Sequence, residues 1–263
     1  MSQIPSADVL LQLARQAGRA IVDIYEQDFQ VELKADQSPL TAADLASHHT
    51  IVAGLATLTP DIPVLSEESA SLPYDIRRQW QRYWLVDPLD GTREFVKRNG
   101  EFTVNIALIE DGRAVFGVVH VPVSGVSYVG RVGEGAHKID EHGIRQPIRV
   151  TANRQTPLRV AGSRSHAGDS LQRFLDKVGE HHIVSMGSSL KLCLVADGSA
   201  DIYPRLGPTS EWDTAAAQAV VEAAGGRVTD TQMQPLRYNQ KDSLLNPHFL
   251  VFGDTSVDWS QYL

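Results

Sequence analysis

The sequence has few of the features that mark secreted, membrane-spanning or nucleic-acid-binding proteins. It contains one cysteine in 263 residues, Cys193, so no disulfide can form within the chain, and a reducing cytoplasm is the expected compartment. No apolar run approaches the roughly 20 residues needed to cross a bilayer. The residues that follow Met1 lack the basic and apolar regions of a signal peptide. These absences favour a cytoplasmic globular chain.

An excess of positive charge is absent as well. Lys and Arg number 24 and Asp and Glu number 32, which gives a formal net charge of −8. This balance argues against nucleic acid as a partner, because non-specific binding to phosphate backbones relies on clustered Lys and Arg. It is compatible with a small anionic substrate, since bound metal ions can make a local pocket positive. We therefore expect a small-molecule partner, no obligate protein partner, and a monomer or homodimer.

Several common catalytic motifs are also missing. The sequence has no Gly-x-x-x-x-Gly-Lys-Ser/Thr phosphate-binding loop and no nucleophile elbow, and its nine histidines show no zinc-ligand spacing. Cys193 lies in an apolar helical pattern and is expected to be a core residue rather than a catalytic thiol. Any catalytic chemistry therefore has to come from other residue types.

The pattern of hydrophobic residues predicts two halves of different architecture. Residues 1–155 begin with two amphipathic helices, the second starting near Thr41, and continue with short β-rich runs. Asp111-Gly112 lies between two such runs, which is a strong hairpin signal. In residues 156–263, strands and helices alternate. We expect an α+β first domain with an antiparallel sheet, an α/β second domain, and a boundary in the stretch 133–157, which is rich in Gly, Pro and charge.

The most informative stretch is the hexapeptide 87–92, Asp-Pro-Leu-Asp-Gly-Thr, which follows the apolar run 84–86. Asp87 and Asp90 offer two carboxylates at the end of a buried strand, and Mg²⁺ prefers oxygen ligands. The proline fixes the backbone, and the glycine lets N–H groups approach a phosphate. Taken alone, an Asp-rich solvated turn explains the same residues.

Three further acidic positions bear on this hexapeptide, and each has a structural explanation of its own. Glu67-Glu68 follows another strand end, where adjacent acidic residues are usually solvated. Asp213 precedes an Ala-rich helix, where aspartate is a standard N-cap residue. Asp44 lies three residues after Thr41, in the position of the N3 member of a capping box. Because a capping carboxylate keeps a second oxygen free, capping and metal binding are compatible.

Two loop-to-helix elements in the second half are suited to anions. Residues 162–166, Gly-Ser-Arg-Ser-His, follow a strand and offer hydroxyls, a guanidinium and an imidazole. Residues 187–191, Gly-Ser-Ser-Leu-Lys, open a helix and offer N–H groups, hydroxyls and the Lys191 ammonium. Arg205 adds a basic residue on a rigid turn. A second phosphate site and a serine cap beside a solvated lysine both explain the 187–191 pattern.

Taken together, these motifs resemble the inositol monophosphatase superfamily of magnesium-dependent, lithium-sensitive phosphatases. The resemblance covers nearly the whole chain. It rests on three segments in the family order, which are Ser-Glu-Glu-Ser at 66–69, the hexapeptide 87–92, and Trp-Asp-Thr-Ala-Ala at 212–216 followed by Ala-Gly-Gly at 224–226. It implies a layered αβαβα sandwich of the inositol monophosphatase and sugar phosphatase type, with the active site between the two halves.

Within this superfamily the chain is most similar to the bacterial 3′(2′),5′-bisphosphate nucleotidases, through segments 93–105, 162–166, 187–191 and 203–205. That similarity implies removal of the 3′-phosphate of adenosine 3′,5′-bisphosphate (PAP) to give AMP. It also implies conversion of 3′-phosphoadenylyl sulfate (PAPS) to adenylyl sulfate, in sulfur assimilation. Association with the cytoplasmic side of the inner membrane is implied by the resemblance alone, because the sequence shows no membrane-binding element.

The family pattern also implies a set of metal ligands. Glu67, Asp87 and the Leu89 carbonyl would hold one Mg²⁺, and Asp87, Asp90 and Asp213 would hold a second. A third, weaker ion near Glu67 would complete the site. The two main ions would neutralise charge on the attacking and leaving oxygens.

The remaining implied roles are catalytic and substrate-binding. Thr92, oriented by Asp44, would activate the attacking water, and no phosphoenzyme is expected. The substrate would contact residues at the metal site, namely Glu67, Leu89, Asp90, Gly91, Thr92 and Asp213. Its 5′-phosphate and ribose side would be held by His166, Ser188, Lys191 and Arg205.

Two other functions are compatible with parts of this pattern. An inositol or sugar phosphatase on the same fold is the first, and Lys191 and Arg205 argue against it because a sugar monophosphate has no second phosphate to bind. A non-catalytic nucleotide sensor is the second. Such a sensor would be expected to lose a metal ligand or the Thr92–Asp44 pair, and the sequence keeps all of them.

Overall fold

The structure is a computed structural model that describes residues 4–26, 31–33, 39–162 and 169–263. Within these ranges the helices are α1 (Ala7–Tyr25), α2 (Ala42–Leu58), α3 (Tyr74–Arg77), α4 (Thr92–Val96), α5 (Asp169–Val178), α6 (Leu190–Ala196) and α7 (Glu211–Ala223). The strands are β1 (Val31–Leu33), β2 (Pro39–Thr41), β3 (Val64–Ser66), β4 (Arg82–Asp90), β5 (Thr103–Glu110), β6 (Arg113–His120), β7 (Ser127–Arg131), β8 (Gly135–Ile139), β9 (Arg145–Ile148), β10 (Leu158–Gly162), β11 (His181–Ser185), β12 (Ile202–Arg205), β13 (Arg227–Asp230) and β14 (Phe249–Phe252). Two 3₁₀ turns span Glu67–Ser69 and Trp259–Tyr262.

The described strands form one large, one medium and one small sheet. The seven-stranded sheet has the order β3-β4-β5-β6-β7-β8-β9, in which β3 and β4 run parallel and the other neighbours are antiparallel. The five-stranded sheet has the order β11-β10-β12-β14-β13 and is mixed. Strands β1 and β2 form a short antiparallel ribbon. The expected antiparallel sheet of the first half and the mixed architecture of the second are both present.

The two larger sheets are layers of an αβαβα sandwich, as the resemblance implied. Helices α1 and α2 share one hydrophobic cluster with the outer face of the seven-stranded sheet. Helices α6 and α7 lie between the two sheets and share a second cluster with the inner faces of both. Helix α5 covers the outer face of the five-stranded sheet in a third. Each layer therefore buries the apolar side of its neighbour.

Strand β4 is covered on both faces, and this explains why the polar residue at the end of its apolar run is buried. Trp84 and Val86 pack into the cluster of α1 and α2, whereas Tyr83 and Leu85 pack into the cluster of α7. Because both faces of the sheet are covered, the strand is apolar on both sides rather than alternating with polar residues. The first polar position after this run, Asp87, is consequently 1% exposed.

Helix α7 lies unusually close to the seven-stranded sheet, and this closeness fixes its N-terminal end. A Cβ atom at Gly117 of β6 would lie 2.0 Å from the Ala216 carbonyl oxygen, so only glycine fits there. The facing positions of α7 are small as well, with Ala215, Ala216 and Ala219 all buried. The tight contact holds the start of α7 beside the end of β4.

The observed elements differ from the predicted ones in two places. Strands β8 and β9 lie inside 133–157, the stretch predicted as a domain boundary, and they extend the seven-stranded sheet. Strand β9 is the exposed edge of that sheet, where proline and polar residues are tolerated, so its sequence resembles a loop. Helix α7 begins at Glu211 rather than at Asp213. The division at 155/156 remains a prediction.

Other predicted features are confirmed. Asp111-Gly112 joins β5 to β6 with positive φ at both residues, 47° and 72°, as a hairpin of this kind requires. Helix α2 begins at Ala42, next to the predicted start. Cys193 is buried in the core. In the parts of the chain described above, every helix is too short or too polar to cross a membrane.

Candidate active site

The hexapeptide 87–92 ends strand β4 with a β-bulge. Asp87 lies opposite Asn105 of β5 and Asp90 lies opposite Thr103, and the register shifts between the two pairs. Residues three apart on a regular strand point to opposite faces. Because opposed residues share a face and Thr103 and Asn105 are two apart, the bulge turns both aspartates to the same side. The sequence-predicted carboxylate pair therefore faces the space between the two sheets.

Hydrogen bonds and packing make this corner rigid. The Leu89 N–H donates to Asp87 Oδ1 at 3.1 Å, and Ser47 Oγ of α2 donates to the Pro88 carbonyl at 2.7 Å. The Leu89 side chain is buried in the cluster of α1 and α2. Gly91 has φ +95°, a left-handed conformation that favours glycine, and Thr92 then begins α4. Thr92 thus lies directly beside the acidic corner.

Asp213 joins the two aspartates from the start of α7. It occupies the N3 position of that helix, and its Oδ2 accepts a hydrogen bond of 2.9 Å from the Ser210 N–H. The sequence predicted an N-cap role for Asp213. The structure corrects this, because Ser210 is the N-cap residue and Asp213 lies three positions later, at N3. One carboxylate oxygen from each of Asp87, Asp90 and Asp213 lies within 4.8 Å of the others. We call these three residues the acidic cluster.

Two more predicted residues lie near the acidic cluster. Ser66 is paired with Val86 in the parallel β3–β4 ladder, so Glu67, the residue after β3, follows at the level of Asp87 in β4. Asp44 lies in the first turn of α2 and is fully buried. The charges of Glu67 and Asp44 both contribute to the raised pKa of Asp87, so both carboxyl groups lie near enough to interact with it.

The electrostatics of the acidic cluster favour a bound cation. Burial and the neighbouring charges, Glu67 first among them, raise the pKa of Asp87 well above its usual range. Burial raises the pKa of Asp90 to about 6, opposed by Lys191, and burial with the charge of Asp90 raises the pKa of Asp213 to about 8. Like charges this close disfavour ionisation unless a cation compensates them. Oxygen ligands with this spacing fit a hard divalent ion.

The predicted 187–191 element lies against the acidic cluster. The Ser189 N–H donates to Asp90 Oδ2 at 2.5 Å. Lys191 is 7% exposed, and its Nζ donates to the carbonyls of Met186 at 3.2 Å and Ser188 at 2.7 Å. Burial lowers the pKa of Lys191, and the nearby Asp90 opposes this. The ammonium therefore holds the turn that precedes α6 and remains close to the corner.

Arg205 lies at the end of β12, lines a cavity and is close enough to Asp213 to interact with its charge. Its Nη2 donates to the Pro208 carbonyl at 2.8 Å, and its charge lowers the pKa of Asp213 against the effect of burial. The cavity has a volume of about 530 Å³ and is lined by Arg93, Gly162, Ser170, Leu171 and residues 203–208. The predicted ligand His166 lies outside the described residues.

Sequence reasoning did not single out Thr103, opposite Asp90, or Asn105, opposite Asp87, and the structure joins both to Ser189 of the predicted 187–191 element. Thr103, Asn105 and Ser189 are 0%, 1% and 2% exposed and are hydrogen-bonded to one another. A signal for two of them was available, because Thr103 and Asn105 are polar residues two apart in a strand that is otherwise apolar. Spacing of this kind places both side chains on one buried face.

Comparison with known proteins agrees with the geometry of the site. Residues 3–252 match the model of the inositol monophosphatase family. The chain is 54% identical over 246 residues to the protein named 3′(2′),5′-bisphosphate nucleotidase CysQ of Escherichia coli strain K12. The aligned region covers 93% of this chain and 98% of the relative. It is 38% identical over 251 residues to the protein of the same name from Haemophilus influenzae, covering 95% and 93% of the two chains.

Solved structures give the same result. The crystal structure of CysQ from Bacteroides thetaiotaomicron superimposes with a TM-score of 0.83 at 42% identity and covers 94% of this chain and 96% of that one. The extragenic suppressor protein suhB from Bartonella henselae superimposes with a TM-score of 0.79 at 28% identity, covering 97% and 96%. Sequence motifs, layered fold, acidic cluster and relatives therefore agree, and the chain belongs to the inositol monophosphatase family.

Proposed function

We propose that this chain is a magnesium-dependent 3′(2′),5′-bisphosphate nucleotidase that hydrolyses PAP to AMP and phosphate. The observation that carries the reaction type is the acidic cluster, which joins the hexapeptide of β4 to the start of α7. The substrate is supported by relatives that are 54% identical over 93% of the chain and are named for this activity. The same site would convert PAPS to adenylyl sulfate, which gives the chain a role in sulfur assimilation.

Enzymes of this family are metal-dependent, and the residues of the acidic cluster fit that requirement. In our proposal Glu67, Asp87 and the Leu89 carbonyl hold one Mg²⁺, and Asp87, Asp90 and Asp213 hold a second. A third ion near Glu67 is part of the proposal. When bound, the ions lower the pKa of water and neutralise charge on the phosphate oxygens.

In this proposal, side chains of the protein accept the proton of the attacking water, and backbone N–H groups orient the 3′-phosphate. Thr92 at the start of α4 accepts a proton from the attacking water and passes its own hydroxyl proton to Asp44. As the water oxygen bonds to phosphorus, the bond from phosphorus to the ribose 3′-oxygen breaks, and that oxygen takes a proton from solvent as AMP leaves. Asp44 is fully buried, so its carboxyl group is held in a fixed position. The backbone N–H groups of Gly91 and Thr92 at the corner donate to the 3′-phosphate. No residue in this scheme forms a covalent intermediate with the phosphate.

The 5′-phosphate and ribose are held by the second half of the chain. Ser188, Lys191 and Arg205 supply a hydroxyl and two cations within the described residues, and His166 completes the proposed set. The Arg205 cavity of about 530 Å³ is a suitable size for part of a nucleotide. A chain with one cysteine suits a reducing compartment, so we assign the reaction to the cytoplasm.

The test is phosphate release from PAP compared with inositol 1-phosphate, each with and without Mg²⁺. We expect Mg²⁺-dependent release, with a much higher kcat/KM for PAP. A preference for inositol 1-phosphate would replace the nucleotidase assignment with that of a sugar phosphatase on the same fold. Release from neither substrate, with Mg²⁺ bound, would contradict the enzymatic function itself.

A further inference from the structure

A closed ring of hydrogen bonds lies next to Asp90, formed by the side chains of Thr103, Asn105 and Ser189. Ser189 Oγ donates to Asn105 Oδ1 at 2.9 Å, and Asn105 Nδ2 donates to Thr103 Oγ1 at 3.3 Å. Thr103 Oγ1 and Ser189 Oγ are 2.8 Å apart. Because the one hydroxyl proton of Ser189 is given to Asn105, Thr103 is the donor in the last contact. We call this arrangement the hydroxyl–amide ring.

The hydroxyl–amide ring connects two parts of the chain that are far apart in sequence. Thr103 and Asn105 belong to β5, and Ser189 belongs to the turn between β11 and α6. The same Ser189 donates its backbone N–H to Asp90 Oδ2 at 2.5 Å. In the β4–β5 ladder, Thr103 lies directly opposite Asp90. The ring therefore fixes the donor that orients one carboxylate of the acidic cluster.

The turn that carries Ser189 is held in a conformation that it would not adopt alone. Ser188 has φ +43°, a left-handed value that costs energy for a residue other than glycine. Its Oγ lies 3.3 Å from Thr103 Oγ1. The Gly187 N–H donates to Glu101 Oε2 at 2.8 Å. Contacts on β5 and on the loop before it thus compensate the strain of the turn.

Close packing couples the turn to the corner itself. A Cβ atom at Gly91 would lie 3.2 Å from Ser188 Cβ and 3.3 Å from Phe102 Cα, which is tighter than ordinary van der Waals contact, so the corner and the turn are closely packed. A displacement of the turn would therefore be transmitted to Asp90 and Gly91. The ring holds the turn at Ser189, next to the donor for Asp90, while Lys191 and Glu101 hold it at the preceding residues.

We propose that Thr103 is a positioning residue for the metal centre, which acts through the hydroxyl–amide ring and the Ser189 N–H to hold Asp90 in its ligating orientation. Thr103 is at the centre of the network because its hydroxyl contacts Asn105, Ser188 and Ser189. The same link connects the proposed 5′-phosphate side of the pocket to the reacting side. This inference rests on the proposed function of Asp90 as a Mg²⁺ ligand.

The test compares Thr103→Val with Thr103→Ser in the full chain. Valine keeps the shape of threonine and removes the hydroxyl, whereas serine keeps the hydroxyl. Titration calorimetry on metal-free protein is expected to show Mg²⁺ binding about 10-fold weaker for Thr103→Val, the loss typical of one buried hydrogen bond. Thr103→Ser is expected to stay within about two-fold of the unaltered protein, because its hydroxyl can still close the ring.

A matched control distinguishes positioning from general loss of stability. Ser127 is fully buried on β7, two strands away from β5, and its Oγ contacts His120 Nδ1 at 2.9 Å. Ser127→Ala removes a buried hydroxyl of the same kind and is expected to leave the Mg²⁺ affinity unchanged. Equal Mg²⁺ affinities for Thr103→Val and Thr103→Ser would overturn the proposal.

A second variant keeps the test decisive if Thr103→Val does not fold. Ser189→Ala opens the ring from the side of the turn and retains the backbone N–H, and we expect the same weakening of Mg²⁺ binding, about 10-fold. An unchanged affinity in Ser189→Ala would also overturn the proposal. This test is independent of the test of PAP hydrolysis, because Mg²⁺ affinity is measured without any substrate present.

Discussion

Asp90 lies between two buried polar groups that are built in opposite ways. On one side is the acidic cluster, in which burial and like charges raise the pKa values of all three aspartates. On the other side is the hydroxyl–amide ring, which is neutral and in which each side chain both donates and accepts. The fold brings the carboxylates of the acidic cluster close together, where a bound cation would offset their mutual repulsion. Next to them it places the neutral, hydrogen-bonded side chains of the ring. Binding and positioning are thus assigned to different residues.

The largest effect is expected at Thr92, the residue that we assign to activation of the attacking water. Thr92→Val removes the hydroxyl that passes the proton to Asp44 and leaves the acidic cluster intact. We expect kcat for PAP to fall about 100-fold or more, because general acid–base groups typically contribute that much. Mg²⁺ affinity, measured by calorimetry, is expected to change little. Thr92→Ser is the matched control and should retain most of kcat, and a fully active Thr92→Val would contradict the role of this hydroxyl.

The next effect concerns the stability of the metal-free protein. The pKa of Asp213 is raised from its ordinary value to about 8, so the folded state holds this proton more tightly than the unfolded state. Stability linked to this group is complete below about pH 4 and is lost as pH rises towards about 8. Asp213→Asn cannot ionise, and we therefore expect the metal-free variant to be more stable than the unaltered chain at pH 8.

Thermal unfolding in the presence of a chelator measures this difference. Repeating the measurement with saturating Mg²⁺ should reverse the order of the two proteins, because the metal stabilises the form with the intact ligand. A metal-free Asp213→Asn variant less stable than the unaltered chain at pH 8 would show that the acidic cluster is not under electrostatic strain.

The smallest effect is expected at Lys191, which we assign to substrate binding. Lys191→Ala removes the ammonium that holds the Met186 and Ser188 carbonyls and that we assign to the 5′-phosphate. We expect KM for PAP to rise about 10-fold, as for the loss of one charged contact. Adenosine 3′-monophosphate lacks the 5′-phosphate and is the matched control substrate. Equal changes in KM for the two substrates would indicate that Lys191 only supports the turn.

Much of the acidic cluster could be predicted from sequence because short motifs carry it. The hexapeptide 87–92 and the segment around Asp213 each have a structural explanation when taken alone, and it is their combination in the family order that predicted the site. The structure adds the bulge that turns Asp87 and Asp90 to one face. It also adds the close contact at Gly117 that brings α7, and with it Asp213, to the end of β4. Neither depends on local sequence alone.

The hydroxyl–amide ring could not be predicted in the same way. Ser189 lies 84 residues from Asn105, and the pairing depends on how the two sheets pack around α6 and α7. The two polar residues of β5, Thr103 and Asn105, are visible in the sequence as a pair on one face, but nothing in the sequence pairs them with Ser189. Strand β9 was missed for a different reason, because an exposed edge strand needs little apolar patterning. Local motifs therefore predicted the residues of the acidic cluster better than they predicted the hydroxyl–amide ring that holds Asp90 in place.

Asp90→Asn gives the most direct test of the central claim that the acidic cluster performs Mg²⁺-dependent hydrolysis of PAP. Asparagine keeps the size of aspartate and an oxygen that can accept from the Ser189 N–H, so the hydroxyl–amide ring should be preserved while the charge is lost. The measurement is Mg²⁺-dependent phosphate release from PAP by the two proteins at equal concentration. We expect the variant to lose nearly all release. Retained turnover in Asp90→Asn would contradict the account.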